Sequence, residues 1–209
     1  MKVLRRLLRR ALLALAAAAL TIAATTAIFL TPPVVHLLLQ VSDAPAVLGV
    51  EPVVADTLSD ALVEDLLTGG TFDVPLGGAP LLSAGERSHL VDVGGLLRTV
   101  LAGGLGGLIL LLTVRLRRRR WLREAMRDGA LLIAVGALGA TAAFTLAFDA
   151  TFSFFHELFF AAGTWTFNPA TDRLVQLYPE SFWVLAALLF CLALTVISLV
   201  SYRSTTRTR

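Results

Sequence analysis

Four stretches of the chain stay apolar for the roughly 20 residues that a helix needs to cross a hydrocarbon core of about 30 Å. The first begins at Ala11 and meets no charge before Asp43. The second runs from Val91 to Val114, with Arg98 about two turns in. The third lies between Asp128 and Asp149, and the fourth spans Phe182 to Val200. The first stretch follows a basic run but is longer than the roughly 7–15 apolar residues of a secretory signal, so it reads as an uncleaved helix.

Between the apolar stretches the pattern changes. Over Glu51–Leu67, Val54, Leu58, Ala61, Leu62 and Leu66 recur at helical spacing, with Pro52 in the first turn and Gly69-Gly70 as a stop. That pattern predicts an acidic amphipathic helix lying on the membrane or capping a bundle. Thr71–Leu82, bounded by Gly and Pro, has room for a short strand or two. Ser83-Ala84-Gly85-Glu86 has the form of a capping box, starting a helix that carries His89 into the membrane. The connection after the third stretch is dense in Phe and Trp, which reads mainly as an interfacial belt. Gly103 and Gly107 form a Gly-x-x-x-Gly step suited to close helix packing.

Composition supports a membrane class, since 56% of the 209 residues are apolar. The sequence pI of 9.7 does not signal a nucleic-acid partner, because the basic residues stand in three blocks beside the apolar stretches. Lys2, Arg5, Arg6, Arg9 and Arg10 precede the first. Arg115, Arg117, Arg118, Arg119, Arg120, Arg123 and Arg127 separate the second from the third, and Arg203, Arg207 and Arg209 follow the fourth. Fifteen of the eighteen Lys and Arg residues therefore lie on one side, which the positive-inside rule makes the cytoplasm. The basic block at 115–127 reads as a short hairpin that touches anionic lipid heads. The lone Cys191, inside the last apolar stretch, is read as packing without a redox role.

The fold expected is an all-α polytopic membrane protein with four transmembrane helices and a small extracytoplasmic cap with room for a short β hairpin. Its segments are a basic cytoplasmic N-terminus (1–10), transmembrane helix 1 (11–39), the cap (40–90) and transmembrane helix 2 (91–114). A basic cytoplasmic loop (115–128), transmembrane helix 3 (129–149), a second extracytoplasmic segment (150–181), transmembrane helix 4 (182–201) and a cytoplasmic tail (202–209) follow.

Candidate chemistry gathers on the outer side. The three histidines, His36, His89 and His156, all map to outer ends of membrane segments. His89 and Asp92 are three apart on one helix, so the carboxylate is a candidate to orient the imidazole. If the helices bundle, His156 lies at similar depth to His89. A histidine at an interface also serves as a plain amphipathic anchor. Ser153, three residues before His156, offers a Ser–His pair. Arg98 is an intramembrane charge that either serves function or snorkels outward. A metal site of His89, Asp92, His156 and Glu157 is a further possibility. No Gly-x-Ser-x-Gly elbow, phosphate-binding loop or His-Glu-x-x-His helix occurs, and no cofactor is expected.

At these residues the sequence resembles the lipoprotein intramolecular transacylase family. The resemblance is carried by Glu86-Arg87-Ser88-His89-Leu90-Val91-Asp92-Val93 and by Phe155-His156-Glu157-Leu158-Phe159-Phe160. Trp165-Thr166-Phe167-Asn168-Pro169 and Leu177-Tyr178-Pro179-Glu180-Ser181-Phe182 extend it. It implies an enzyme of the bacterial cytoplasmic membrane with both termini inside. That enzyme moves the sn-2 acyl chain of a diacylglyceryl lipoprotein onto the amine of its N-terminal cysteine at the outer leaflet. The family's two histidines carry over to His89 and His156, with Asp92 and Arg98 in support and Trp165 and Tyr178 toward the substrate. Which histidine is the base stays open, with a lean to His156. Membrane lipids and the lipoprotein are the expected partners. The competing readings are a non-enzymatic membrane protein that binds a partner or lipid through its outer loop, and a metal-dependent membrane hydrolase.

Overall fold

In the computed structural model of the chain, residues 1–117 and 119–207 are described. Arg118 and Arg209, two of the topology markers above, lie outside the described residues, as do the side chains of Lys2, Arg117, Arg119, Arg120 and Arg207. The elements are α1 (Lys2–Phe29), α2 (Pro32–Val41), α3 (Ala44–Leu48), α4 (Pro52–Thr68), β1 (Pro75–Leu76) and β2 (Ala79–Pro80). They continue as α5 (Ala84–Arg117), α6 (Arg119–Leu146), α7 (Phe148–Phe159), α8 (Arg173–Leu177) and α9 (Glu180–Arg207). Four of the described helices are long and apolar enough to cross a membrane, over Val3–Phe29, Ala84–Arg115, Trp121–Leu146 and Glu180–Thr205. The protein is an all-α, multi-pass membrane protein with one two-stranded antiparallel sheet.

Three helix boundaries differ from the sequence expectation. Helix 1 does not run to residue 39. It stops at Phe29, Thr31 turns extended, and α2 starts with Pro32 and Pro33. A proline cannot donate to the preceding turn and disfavours a helical residue before it, so the apolar stretch is broken there. The basic segment 115–128 is not a loop, since α5 continues to Arg117 and α6 begins at Arg119. Arginine and leucine favour helix, and no Gly or Pro interrupts the stretch. The tail is likewise helical to Arg207.

The chain divides into two compact units. The first comprises Met1–Ala27, Val100–Ala143 and Leu189–Arg209. Its interior is made of small and aliphatic side chains: Leu13, Ala16, Ala17, Leu111 and Ala125 in one cluster, Ala18, Ile133, Ala137 and Leu194 in another. Large apolar side chains such as Leu105, Ile109, Leu131 and Val135 point outward, as lipid-facing helices require. Arg10 pairs with Asp128, and the Arg9 guanidinium lies 3.3 Å over the Trp121 ring.

Close helix packing in this unit uses Gly104, Gly107 and Gly129 rather than the Gly103–Gly107 step. A Cβ on Gly107 would stand 2.5 Å from the Ala16 carbonyl oxygen, and one on Gly104 would stand 2.1 Å from the Ala23 Cβ. A Cβ on Gly103 would meet nothing within 4 Å. Gly107→Ala is therefore expected to destabilise the protein by about 1–3 kcal/mol, whereas Gly103→Ala leaves stability unchanged or slightly higher. Thermal unfolding of the two purified variants checks this, and equal melting temperatures would contradict it.

The second unit comprises Ile28–Thr99 and Phe144–Leu188. α4 buries Ala55, Leu58, Ser59 and Leu62, one helical stripe, against a core that includes Leu38, Leu39, Leu48, Phe72, Leu177 and Phe182. Its C-cap Gly69 adopts the left-handed conformation, φ 82°. Asp65 Oδ2 then accepts the Phe72 N–H at 2.6 Å, fixing the exit of the chain. In the hairpin Pro75 faces Pro80 and Leu76 faces Ala79. Gly77 and Gly78, both at positive φ, form the two-residue turn whose twist suits paired strands. The capping box closes in both directions, with Ser83 N–H donating to Glu86 Oε2 at 2.7 Å and Glu86 N–H to Ser83 Oγ at 3.3 Å.

Candidate active site

The second unit brings two of the three histidines together. His89 lies in the second turn of α5 and is only 6% exposed. His156 lies in the last turn of α7 and is half-buried. Their ring centroids are 6.0 Å apart. α7 stops just after His156 because Phe160 turns extended, its N–H donating to the His156 carbonyl.

Aromatic rings surround the pair. Phe160 meets His89 edge-on at 4.9 Å, and Phe167 stands 5.7 Å from it. Phe152 lies 4.0 Å from His156, Trp165 4.9 Å, and Phe155 and Phe160 5.5 Å each. What reads in sequence as an interfacial belt is, for these rings, the wall of a chamber around two imidazoles.

The hydrogen bonds distinguish the histidines. His156 Nδ1 lies 2.8 Å from the Phe152 carbonyl oxygen. A carbonyl only accepts, so the neutral ring carries its proton on Nδ1 and keeps a lone pair on Nε2. Burial pushes the His156 pKa below 6.5, against the opposing effect of the Phe152 bond. The neutral, proton-accepting form therefore dominates near neutrality. His89 Nδ1 is buried with no hydrogen-bond partner among the described residues, and so is Trp165 Nε1.

The supporting residues behave differently from expectation. Asp92 is exposed and makes no hydrogen bond to His89 among the described residues, so it reaches the imidazole through its charge alone. Arg98 is turned toward α4, where its Nη1 donates to the Leu66 carbonyl at 2.8 Å and satisfies a last-turn acceptor. Arg98→Gln is accordingly expected to lower the melting temperature, by the roughly 1.5–3 kcal/mol of a bond from a charged donor. An unchanged transition would show that the bond contributes nothing.

Tyr178 is a tie between elements, its hydroxyl 2.8 Å from Ser59 Oγ of α4. Burial pushes its pKa up to about 12, so it stays a neutral phenol. Ser153 makes no hydrogen bond to His156 among the described residues, whose Nδ1 is taken by Phe152. Among the described residues no three His, Cys, Asp or Glu side chains stand close enough together to hold a metal ion. His36 is apart from the pair, with Nε2 2.9 Å from Asp60 Oδ1 and Nδ1 3.7 Å from Asp56 Oδ2, joining α2 to α4.

One positioning residue was hidden in the capping box. Glu86 is 2% exposed, and its second oxygen, Oε1, accepts the Leu174 N–H at 2.6 Å. One carboxylate thus fastens the start of α5, one turn before His89, to the first turn of α8. Nothing in the sequence marks a contact across 88 residues.

The family model described as "Lipoprotein intramolecular transacylase Lit" matches residues 63–183. The structure of the membrane-integral lipoprotein intramolecular transacylase Lit from Bacillus cereus superposes with a TM-score of 0.77 at 20% identity, covering 99% of this chain and 98% of that one. The same Bacillus cereus protein with a histidine-to-alanine mutation gives 0.75 at 18% identity, covering 96% and 91%. No curated protein sequence gives a significant match.

Proposed function

Since the chain belongs to the lipoprotein intramolecular transacylase family, with more than half its length inside the family match, we propose that it moves the sn-2 acyl chain of a diacylglyceryl lipoprotein onto the N-terminal cysteine amine. The observation that carries this reading is the histidine pair, 6.0 Å apart, with His156 held as an Nδ1–H tautomer.

His156 is the general base. Its Nε2 takes a proton from the attacking amine, and the nitrogen lone pair adds to the sn-2 ester carbonyl carbon. An α-amine has a pKa of about 7.7–8.0, so attack requires a proton acceptor nearby. The tetrahedral intermediate collapses by breaking the carbonyl carbon–glycerol oxygen bond. The proton taken from the amine is returned to that glycerol oxygen, either from His156 itself or through His89. An amide and a free sn-2 hydroxyl result, with no atom gained or lost. Both reacting groups sit on one molecule, so a chamber that folds it back converts proximity into rate.

The exposed apolar side chains of α7, among them Phe154 at 67% and Leu158 at 62%, suit contact with acyl chains. The distribution of Lys and Arg supports both termini in the cytoplasm and this chamber on the outer side. Of the substrate-facing candidates, Trp165 is in contact range of His156, whereas Tyr178 serves α4.

The test is expression in a bacterium that makes diacylglyceryl lipoproteins but lacks an N-acyltransferase. Mass spectrometry of an N-terminal lipopeptide should find unchanged total mass with one chain now amide-linked. An unaltered lipid pattern from inserted protein would favour a binding role over an enzymatic one.

A further inference from the structure

The chamber contains a hydrogen-bond donor that the acid–base scheme does not use. We infer that the indole N–H of Trp165 donates to the oxygen of the sn-2 ester carbonyl, stabilising the oxyanion as the amine adds. This inference rests on the transacylase reading above.

Ester aminolysis places negative charge on that oxygen in the transition state, so a fixed donor beside it lowers the barrier. The candidate donors can be taken in turn. Arg98 is turned to the Leu66 carbonyl of α4, and the Tyr178 hydroxyl is paired with Ser59 Oγ of the same helix. The His156 Nδ1–H is held by Phe152. His89 Nδ1 is buried and unpartnered too, but a neutral imidazole can carry its proton on the other nitrogen and leave this one a bare lone pair. Trp165 Nε1 is buried, and no described residue accepts its hydrogen. An indole N–H is donor-only, so no change of tautomer or protonation can relieve it. Buried donors without partners are rare in folded proteins and call for an acceptor from elsewhere.

The placement fits the reaction. The Trp165 ring lies 4.9 Å from the His156 ring with an interplanar angle of 35°. The carbonyl carbon under attack is one bond from the nitrogen that His156 deprotonates, so its oxygen must lie within the same few ångströms. The loop that carries Trp165 is anchored on its far side. Asn168 N–H donates to Asp172 Oδ2, Gln176 Nε2 donates to the Pro169 carbonyl, and Leu174 N–H donates to Glu86. A donor held in advance needs little reorganisation during the reaction.

The experiment uses the full-length protein in detergent with a synthetic diacylglyceryl lipopeptide. Trp165→Phe keeps an aromatic ring against His156 and removes the N–H. Replacing the Trp165 indole by benzothiophene, through an unnatural amino acid, keeps the bicyclic shape and removes only the donor. Both are expected to lose about 10²-fold in kcat with KM within about twofold, the loss typical of one oxyanion donor. Full kcat in the benzothiophene protein overturns the inference, as does a loss confined to KM. Should Trp165→Phe not fold, the benzothiophene protein still decides the matter by shape. Absence of any N-acyl product from wild type sinks the transacylase reading and this inference with it.

Discussion

Replacing His156 by alanine is expected to cut acyl transfer by about 10²–10⁴-fold while the protein still folds and inserts. The size follows from the role: without a base, the amine has no acceptor for its proton in a chamber lined by Phe152, Phe155, Phe160 and Trp165. The survival of the fold follows from the contacts, since among the described residues the imidazole's hydrogen bond goes to Phe152 of its own helix. His156→Gln tests the same point without emptying the site, because its amide is not a base at neutral pH. Turnover of a synthetic lipopeptide per folded molecule is the readout. Near-wild-type turnover in either variant would remove His156 from the chemistry.

The second large effect is on stability. Glu86→Ala should destabilise the protein by about 2–4 kcal/mol, the sum of about 1–3 for the buried Leu174 N–H left without an acceptor and about 1 for the lost cap. The carboxylate accepts from Ser83 N–H and Leu174 N–H, and alanine leaves both donors without it. Glu86→Gln retains one acceptor oxygen and should fall between wild type and alanine. Since His89 sits one turn further along α5, turnover per folded molecule should drop as well. Thermal unfolding ordered wild type, glutamine, alanine supports this, and three coincident transitions would show that Glu86 holds nothing.

The features that sequence could show are those governed by neighbours along the chain. Hydropathy marks four crossings, the Ser83–Glu86 spacing marks a helix start, and Gly77-Gly78 between short apolar runs fits the hairpin. Where sequence reading fell short, the deciding partner is distant. Arg98 reads as an intramembrane charge until α4 comes close enough to offer the Leu66 carbonyl. Gly103 and Gly107 share the familiar spacing, yet the face that meets Ala16 and Ala23 passes through Gly104 and Gly107. The run from Ala11 to residue 39 is apolar throughout, and hydropathy is blind to the backbone restriction that Pro32 and Pro33 impose. At the site, sequence pointed to both histidines and to Trp165, whereas the Asp92 partnership, read from spacing, takes no hydrogen bond among the described residues and leaves only the reach of its charge. The Phe152 carbonyl, which sets the tautomer of His156, belongs to a backbone atom that no side-chain motif encodes.

The proposed reaction moves one acyl chain from glycerol to amine within a single lipoprotein molecule. Tandem mass spectrometry of a lipopeptide carrying deuterium only in its sn-2 chain, mixed with an unlabelled lipopeptide of different peptide sequence, tests it most directly. After incubation with the purified protein, the deuterated chain is expected to be amide-linked to its own peptide, with the total mass unchanged. Label left on glycerol, released as free fatty acid or found on the other peptide would contradict it.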